Sequence, residues 1–185
     1  MPDLLFSTLS KVLLPAAAIG VMLVAARKKG KLSFSEDLGL KAPKPVTAVV
    51  FLVLWVCLIA LEEFLTSAVE GTQAKPWPAD YPAYIVAMRI LAIGILGPIA
   101  EELAFRGVLF SLLLRKTRLG VIGTIVLTAA LWSVIHLQYA PTLLLLIFVD
   151  GLVLGFARHR SGSLYLPIAM HVMGNLFSIY QSLAH

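Results

Sequence analysis

The chain has 185 residues, of which 59% are hydrophobic and 14% charged, with a formal net charge of +5 and a mean hydropathy of +0.92. Soluble domains carry about 25% charged residues, so this composition excludes an ordinary soluble enzyme and predicts an integral membrane protein with little mass outside the bilayer. The positive charge does not indicate nucleic acid: the basic residues cluster in short blocks between apolar runs, the positive-inside pattern of membrane proteins.

Crossing the ~30 Å hydrocarbon core takes about 20 apolar residues. Six runs approach this length, at 4–26, 46–66, 84–115, 119–138, 141–157 and 164–183. The first contains Lys11, which can snorkel, and Pro15. Asp3 before it and Arg27-Lys28-Lys29 after it favour a retained span over a cleaved signal peptide. The second holds Cys57, read as a buried packing thiol; as the only cysteine it cannot form an intramolecular disulfide. Glu62-Glu63 lie near its outer end and read as interfacial. Residues 67–82, with Pro76, Pro78 and Pro82, read as an extended outer loop whose Trp77 and Tyr81, with Tyr84 just beyond, sit at headgroup level.

The third run is too long for one straight crossing and is expected to bend at Gly97-Pro98, since proline removes a backbone donor. The fourth and fifth are joined through Gln138-Tyr139-Ala140-Pro141, which predicts a tight helical hairpin. In the fifth, Asp150 precedes Gly151 and Gly155, a spacing that lets helices approach closely. His159, in a basic loop, and the terminal His185 read as solvated. Eleven of the fifteen Lys and Arg fall in the loops after spans one, three and five, which places both termini on the outer side. The predicted fold is therefore an all-α, polytopic membrane bundle of about six transmembrane helices. No duplicated halves are visible, which argues against a secondary transporter.

Polar side chains inside the later spans mark the chemistry, because a charge at the centre of a membrane helix costs roughly 2.5–3.5 kcal/mol on insertion scales. Glu102 and Arg106 are four residues apart, share a helix face and can neutralise each other. Glu101 points about 100° away and is left without a local partner, as a general base would be. Trp132 lies one turn before His136 and can pack against the imidazole. His171 and Asn175 share a face, and both can donate hydrogen bonds to a developing oxyanion. Asp150 reads as support for Arg106 or a histidine. At 1.5 Å per residue, His136 and His171 lie about 25 Å and 10 Å into spans that both begin inside, so either a tilted helix with 119–124 in the interface brings them together or the span limits or the orientation differ from this reading.

The order of these motifs, EELAFR at 101–106, WSVIH at 132–136 and HVMGN at 171–175, resembles the CPBP family of intramembrane proteases. That family includes type II CAAX prenyl endopeptidases, lysostaphin resistance protein A-like and bacteriocin-processing relatives. Gly107 after the arginine and Gly162-Ser163-Leu164 before the last span fit the same pattern, while Trp132 stands where phenylalanine is commoner. The resemblance covers about residues 84–183. It implies a catalytic core at 84–185 with the site in the bundle interior; the two transmembrane helices read in 1–83 match nothing of the family beyond being apolar. It also implies that Glu101 and His136 activate water, Glu102 partners Arg106, and His171 with Asn175 stabilises the oxyanion, with no covalent acyl-enzyme. The substrate would be a membrane-associated peptide or protein: a CAAX protein where prenylated proteins are made, otherwise a pheromone, bacteriocin precursor or sorting tail. A non-catalytic immunity or peptide-binding factor is the alternative. Glu101, His136 and His171 could also hold zinc with water in the fourth position; no H-E-x-x-H supports this, and the reading favours a metal-free, glutamic-type route.

Overall fold

The computed structural model describes residues 2–28, 33–67 and 76–184. Among them there is no strand, and six helices follow one another. They are α1 (Pro2–Lys28), α2 (Pro45–Ser67), α3 (Ala83–Lys116), α4 (Gly120–Val134), α5 (Pro141–Ser161) and α6 (Tyr165–Ala184). Asp3–Ala25 of α1, together with α2, α3 and α5, are long and apolar enough to cross a membrane. Their outward faces carry Leu13, Leu14, Val46, Val53 and Phe64 in the open, a surface that lipid covers and water would not. Cys57 is exposed on this surface too, rather than packed inside as its sequence context suggested. The chain is a multi-pass integral membrane protein.

Helix α4 is shorter than its apolar run. It has 15 residues, about 22 Å, against a hydrocarbon core of ~30 Å. Pro141 disfavours helix in the residue before it, and the chain turns through 135–139 before entering α5. His136 therefore lies in a turn just beyond the end of α4 and not within a 20-residue span. The expected α4–α5 hairpin forms, and its glycines set its spacing. A Cβ at Gly151 would lie 2.9 Å from Cβ of Ala129, and one at Gly155 would lie 2.9 Å from Cγ2 of Ile125.

Helix α3 is the centre of the bundle, with α1 along its flank and α4, α5 and α6 against its second half or its middle. Its backbone stays helical through Gly97-Pro98, but the pitch changes. Ile90–Leu96 and Leu103–Leu109 are wound as π-helix on either side of an α-helical turn and a half, Gly97–Glu102. In the π pitch each N–H reaches back five residues, and the Gly97 N–H does reach the Ala92 carbonyl. The next bond in that series would run from residue 98 to residue 93, and Pro98 has no N–H. The Ile93 carbonyl left over is taken by another helix: Asn175 Nδ2 donates to it at 2.8 Å.

Two further contacts close the bundle. Trp55 of α2 joins Trp132, Leu154, Ala157, Leu166 and Met170 in one buried apolar cluster, so α2 packs on α5 and α6. The segment after α1, read as a polar basic loop, sends Leu38 fully into the core against Leu103 and Leu164. Gly39 (φ +70°) makes the turn that permits this, and its carbonyl accepts the Leu164 N–H at 2.7 Å. Arg158 Nη2 donates to the Asp37 carbonyl at 2.8 Å, tying the same segment to the end of α5. Residues 68–75 of the expected outer loop, the cluster Lys29–Lys31 and His185 lie outside the described residues, and His159 is exposed as expected.

Candidate active site

The site is assembled around one indole. Trp132, buried on α4, donates its Nε1–H to Glu101 Oε2 at 2.6 Å. The Arg106 guanidinium lies over its ring at 4.6 Å. His136 and His171 both meet that ring edge-on, at centroid distances of 5.3 and 5.2 Å. Glu101, Arg106, His136 and His171, from α3, the α4–α5 turn and α6, are thus gathered about a single side chain. A buried tryptophan needs an acceptor for its N–H, and that requirement is the signal through which Glu101 could have been found to have a partner.

Glu102 and Arg106 form the ion pair their spacing predicts, Arg106 Nη1 donating to Glu102 Oε1 at 2.7 Å with both side chains wholly buried. Glu102 is not reserved for Arg106. The same Oε1 lies 3.0 Å from His171 Nδ1, which places a ring proton on Nδ1 and leaves Nε2 out of this contact. With a second proton on Nε2, His171 donates from both ring nitrogens. Arg106 Nη2 donates to the Gly151 carbonyl at 3.2 Å, so the close approach of α5 also serves the ion pair.

His136 Nδ1 lies 2.8 Å from the Trp132 carbonyl oxygen. A carbonyl only accepts, so Nδ1 carries the proton and Nε2 of the neutral ring is a free base. Its ring stacks on Tyr139 at 6.1 Å. Glu101 and His136 are half-buried, while Glu102 and Arg106 are closed off. Exposure and structural pairing are therefore divided between the two adjacent glutamates. The Trp132 bond engages Glu101 Oε2 and leaves Oε1 out of it.

Asn175 sits one turn beyond His171, as the spacing requires, but one of its two N–H groups is committed to the Ile93 carbonyl. Asp150 Oδ1, on α5, is buried with no hydrogen-bond partner among the described residues. Glu62 is half-buried, its Oε1 likewise buried and without a partner there. Glu63 does face outward, where it accepts a hydrogen bond from Gln181. Among the described residues no three His, Cys, Asp or Glu side chains are grouped to hold a metal ion. Of the three donors considered for zinc, Glu101 is bonded to Trp132 through Oε2 and His171 faces Glu102 through Nδ1.

Bundle and site together define a membrane protein with a polar, histidine- and carboxylate-bearing centre inside apolar helices. Residues 82–177 match the family described as type II CAAX prenyl endopeptidase Rce1-like, and the chain belongs to that family. It is 30% identical over 142 residues to a protein of Escherichia coli named "Uncharacterized 24.3 kDa protein", covering 71% of this chain and 65% of that one. It is 31% identical over 98 residues to "Putative membrane peptidase YdiL" of Bacillus subtilis (strain 168), covering 53% of this chain and 38% of that one. The match thus spans less than two thirds of either relative. No solved structure gives a significant match.

Proposed function

We propose that this chain is a membrane-embedded endopeptidase that cleaves a membrane-associated peptide or protein with directly activated water, its catalytic core being residues 84–185. The family match and the relative named a membrane peptidase support peptide hydrolysis as the reaction class. The observation that carries the mechanism is the common attachment of Glu101, His136 and His171 to Trp132. Three groups on separate elements are held at one place by a rigid side chain, as a preorganised site requires.

In this mechanism Glu101 Oε1, assisted by His136 Nε2, takes a proton from water as the water oxygen attacks the scissile carbonyl carbon. The carbonyl oxygen becomes an oxyanion, and His171, held by Glu102, donates to it together with the second Nδ2–H of Asn175. The proton then passes to the leaving nitrogen, the C–N bond breaks, and a carboxylic acid and an amine are released. Glu102–Arg106 holds His171 and carries no proton in the cycle.

The test is to incubate purified protein in detergent with the membrane proteome of its source and map new peptide termini. Termini produced by the wild type and absent with Glu101→Ala support the reading. Identical termini from both, or none from either, contradict it and favour a non-catalytic binding factor of the same fold.

A further inference from the structure

A groove of about 560 Å³ runs between α2 and α5, and no residue of the site lines it. Phe51, Leu58 and Val153 form its floor, packed on the buried cluster around Trp55. Leu54, Cys57 and Leu61 stand exposed at its rim, so it opens to the lipid. On α2 these positions recur every three or four residues and make one stripe of the helix. From Phe51 to Leu61 the stripe is about 15 Å long at 1.5 Å per residue, half of the ~30 Å hydrocarbon core. That is the depth of one leaflet. A partner's transmembrane helix would need a groove of twice that length.

Among the described residues of the lining, Arg160 alone is charged. It lies in the last turn of α5, at the end where the basic loops gather. The chain entering α2 meets the chain leaving α5 there: the Leu164 N–H donates to the Gly39 carbonyl at 2.7 Å, and Ser163 Oγ donates to the Lys41 carbonyl. The two helices are therefore antiparallel, with Arg160 beside the first turns of α2. The neighbouring cations at this end are engaged. Lys41 pairs with Glu36 at 2.9 Å and Arg115 with Asp37 at 3.0 Å, while Arg158 donates to the carbonyls of Arg106 and Asp37. Arg160 is exposed, and among the described residues no acceptor takes its N–H groups. Lys44, exposed just before α2, adds a second positive charge at the same end.

We propose that this groove binds an anionic phospholipid from the leaflet on the basic side of the protein. One acyl chain fills the stripe, and the phosphate accepts from the Arg160 guanidinium, whose planar donors match it. An acyl chain alone gains little here, because the surrounding lipid is as apolar as the groove. The choice among lipids therefore falls to the headgroup. A zwitterionic headgroup carries its own cation, whereas an anionic one meets Arg160 and Lys44 with a net negative charge. The basic side of a membrane protein is also the side that faces anionic lipid.

The experiment uses the full chain in detergent with phosphatidylglycerol and phosphatidylcholine of identical acyl chains, counted on the protein by native mass spectrometry. Wild type is expected to retain phosphatidylglycerol at least about fivefold over phosphatidylcholine, the preference one basic residue confers at a membrane surface. Arg160→Gln should bring the two lipids to equal retention. Leu54→Trp, which fills the groove and keeps the arginine, should lose the bound phosphatidylglycerol, and it carries the comparison if Arg160→Gln does not fold. The place of binding is read from Cys57, the only cysteine. Its alkylation by a maleimide should be slowed by phosphatidylglycerol in wild type and less so in Arg160→Gln. Equal retention of the two lipids by wild type, an undiminished preference in Arg160→Gln or Leu54→Trp, or alkylation indifferent to lipid would overturn the inference. Alkylation slowed by raising the protein concentration without lipid would overturn it in favour of a second copy of the chain. None of these readouts depends on peptidase activity.

Discussion

The bond from Asn175 to Ile93 gives a quantitative test of how the site is framed. Asn175→Ala would leave the Ile93 carbonyl without a donor, because Pro98 cannot supply one and Gly97 already serves Ala92. An orphaned buried acceptor costs about 1–3 kcal/mol, and the lipid surroundings supply no water to take its place. Pro98→Ala restores an N–H at the position from which the π pitch would reach residue 93. In that background, Asn175→Ala is expected to cost at most about 0.5 kcal/mol, so the two positions should couple by roughly 1–2 kcal/mol. The four proteins of the cycle can be compared by thermal or denaturant unfolding in one detergent, each correctly folded by size-exclusion profile. Equal costs of Asn175→Ala with and without the Pro98→Ala substitution would refute the explanation of why an asparagine stands there.

Arg106→Ala strands a wholly buried Glu102 and the Gly151 carbonyl, and is expected to cost about 3–5 kcal/mol; a change below about 1 kcal/mol, or no coupling to Glu102→Gln, would contradict the pairing. Trp132→Phe keeps the aromatic packing but removes the 2.6 Å bond to Glu101. It should leave the protein folded and lower turnover about tenfold, the equivalent of a ~1.4 kcal/mol loss of positioning; unchanged turnover would show that the indole N–H does not hold Glu101 for catalysis. Prolonged dialysis against a strong chelator should leave activity intact and purified protein without stoichiometric metal, whereas loss on chelation and recovery with zinc would establish a metal route.

The six helices were legible because lipid demands long apolar runs and loops betray themselves by charge and proline. The Glu102–Arg106 pair was equally legible, since four residues on a helix fix a neighbour. What escaped were relations across helices. The spacing of Glu102 and His171 carries no sign that His171 shares the Glu102 Oε1 with Arg106, and nothing local reveals that Trp132 reaches Glu101 from 31 residues away. Pro98 signalled a disturbance in α3 but not its form, because a change of helical pitch has no periodic signature over seven residues. Leu38 was hidden by its charged neighbours.

The central claim is that Glu101 activates the attacking water, and Glu101→Gln tests it most directly. The amide keeps the size of the side chain and can still accept from Trp132 Nε1, but it cannot take a proton from water. Using a cleavage product identified from source membranes, turnover by the variant should fall at least about a hundredfold, the low end of general-base contributions. Its unfolding profile should stay close to wild type. Near-normal turnover by correctly folded Glu101→Gln protein would contradict the account.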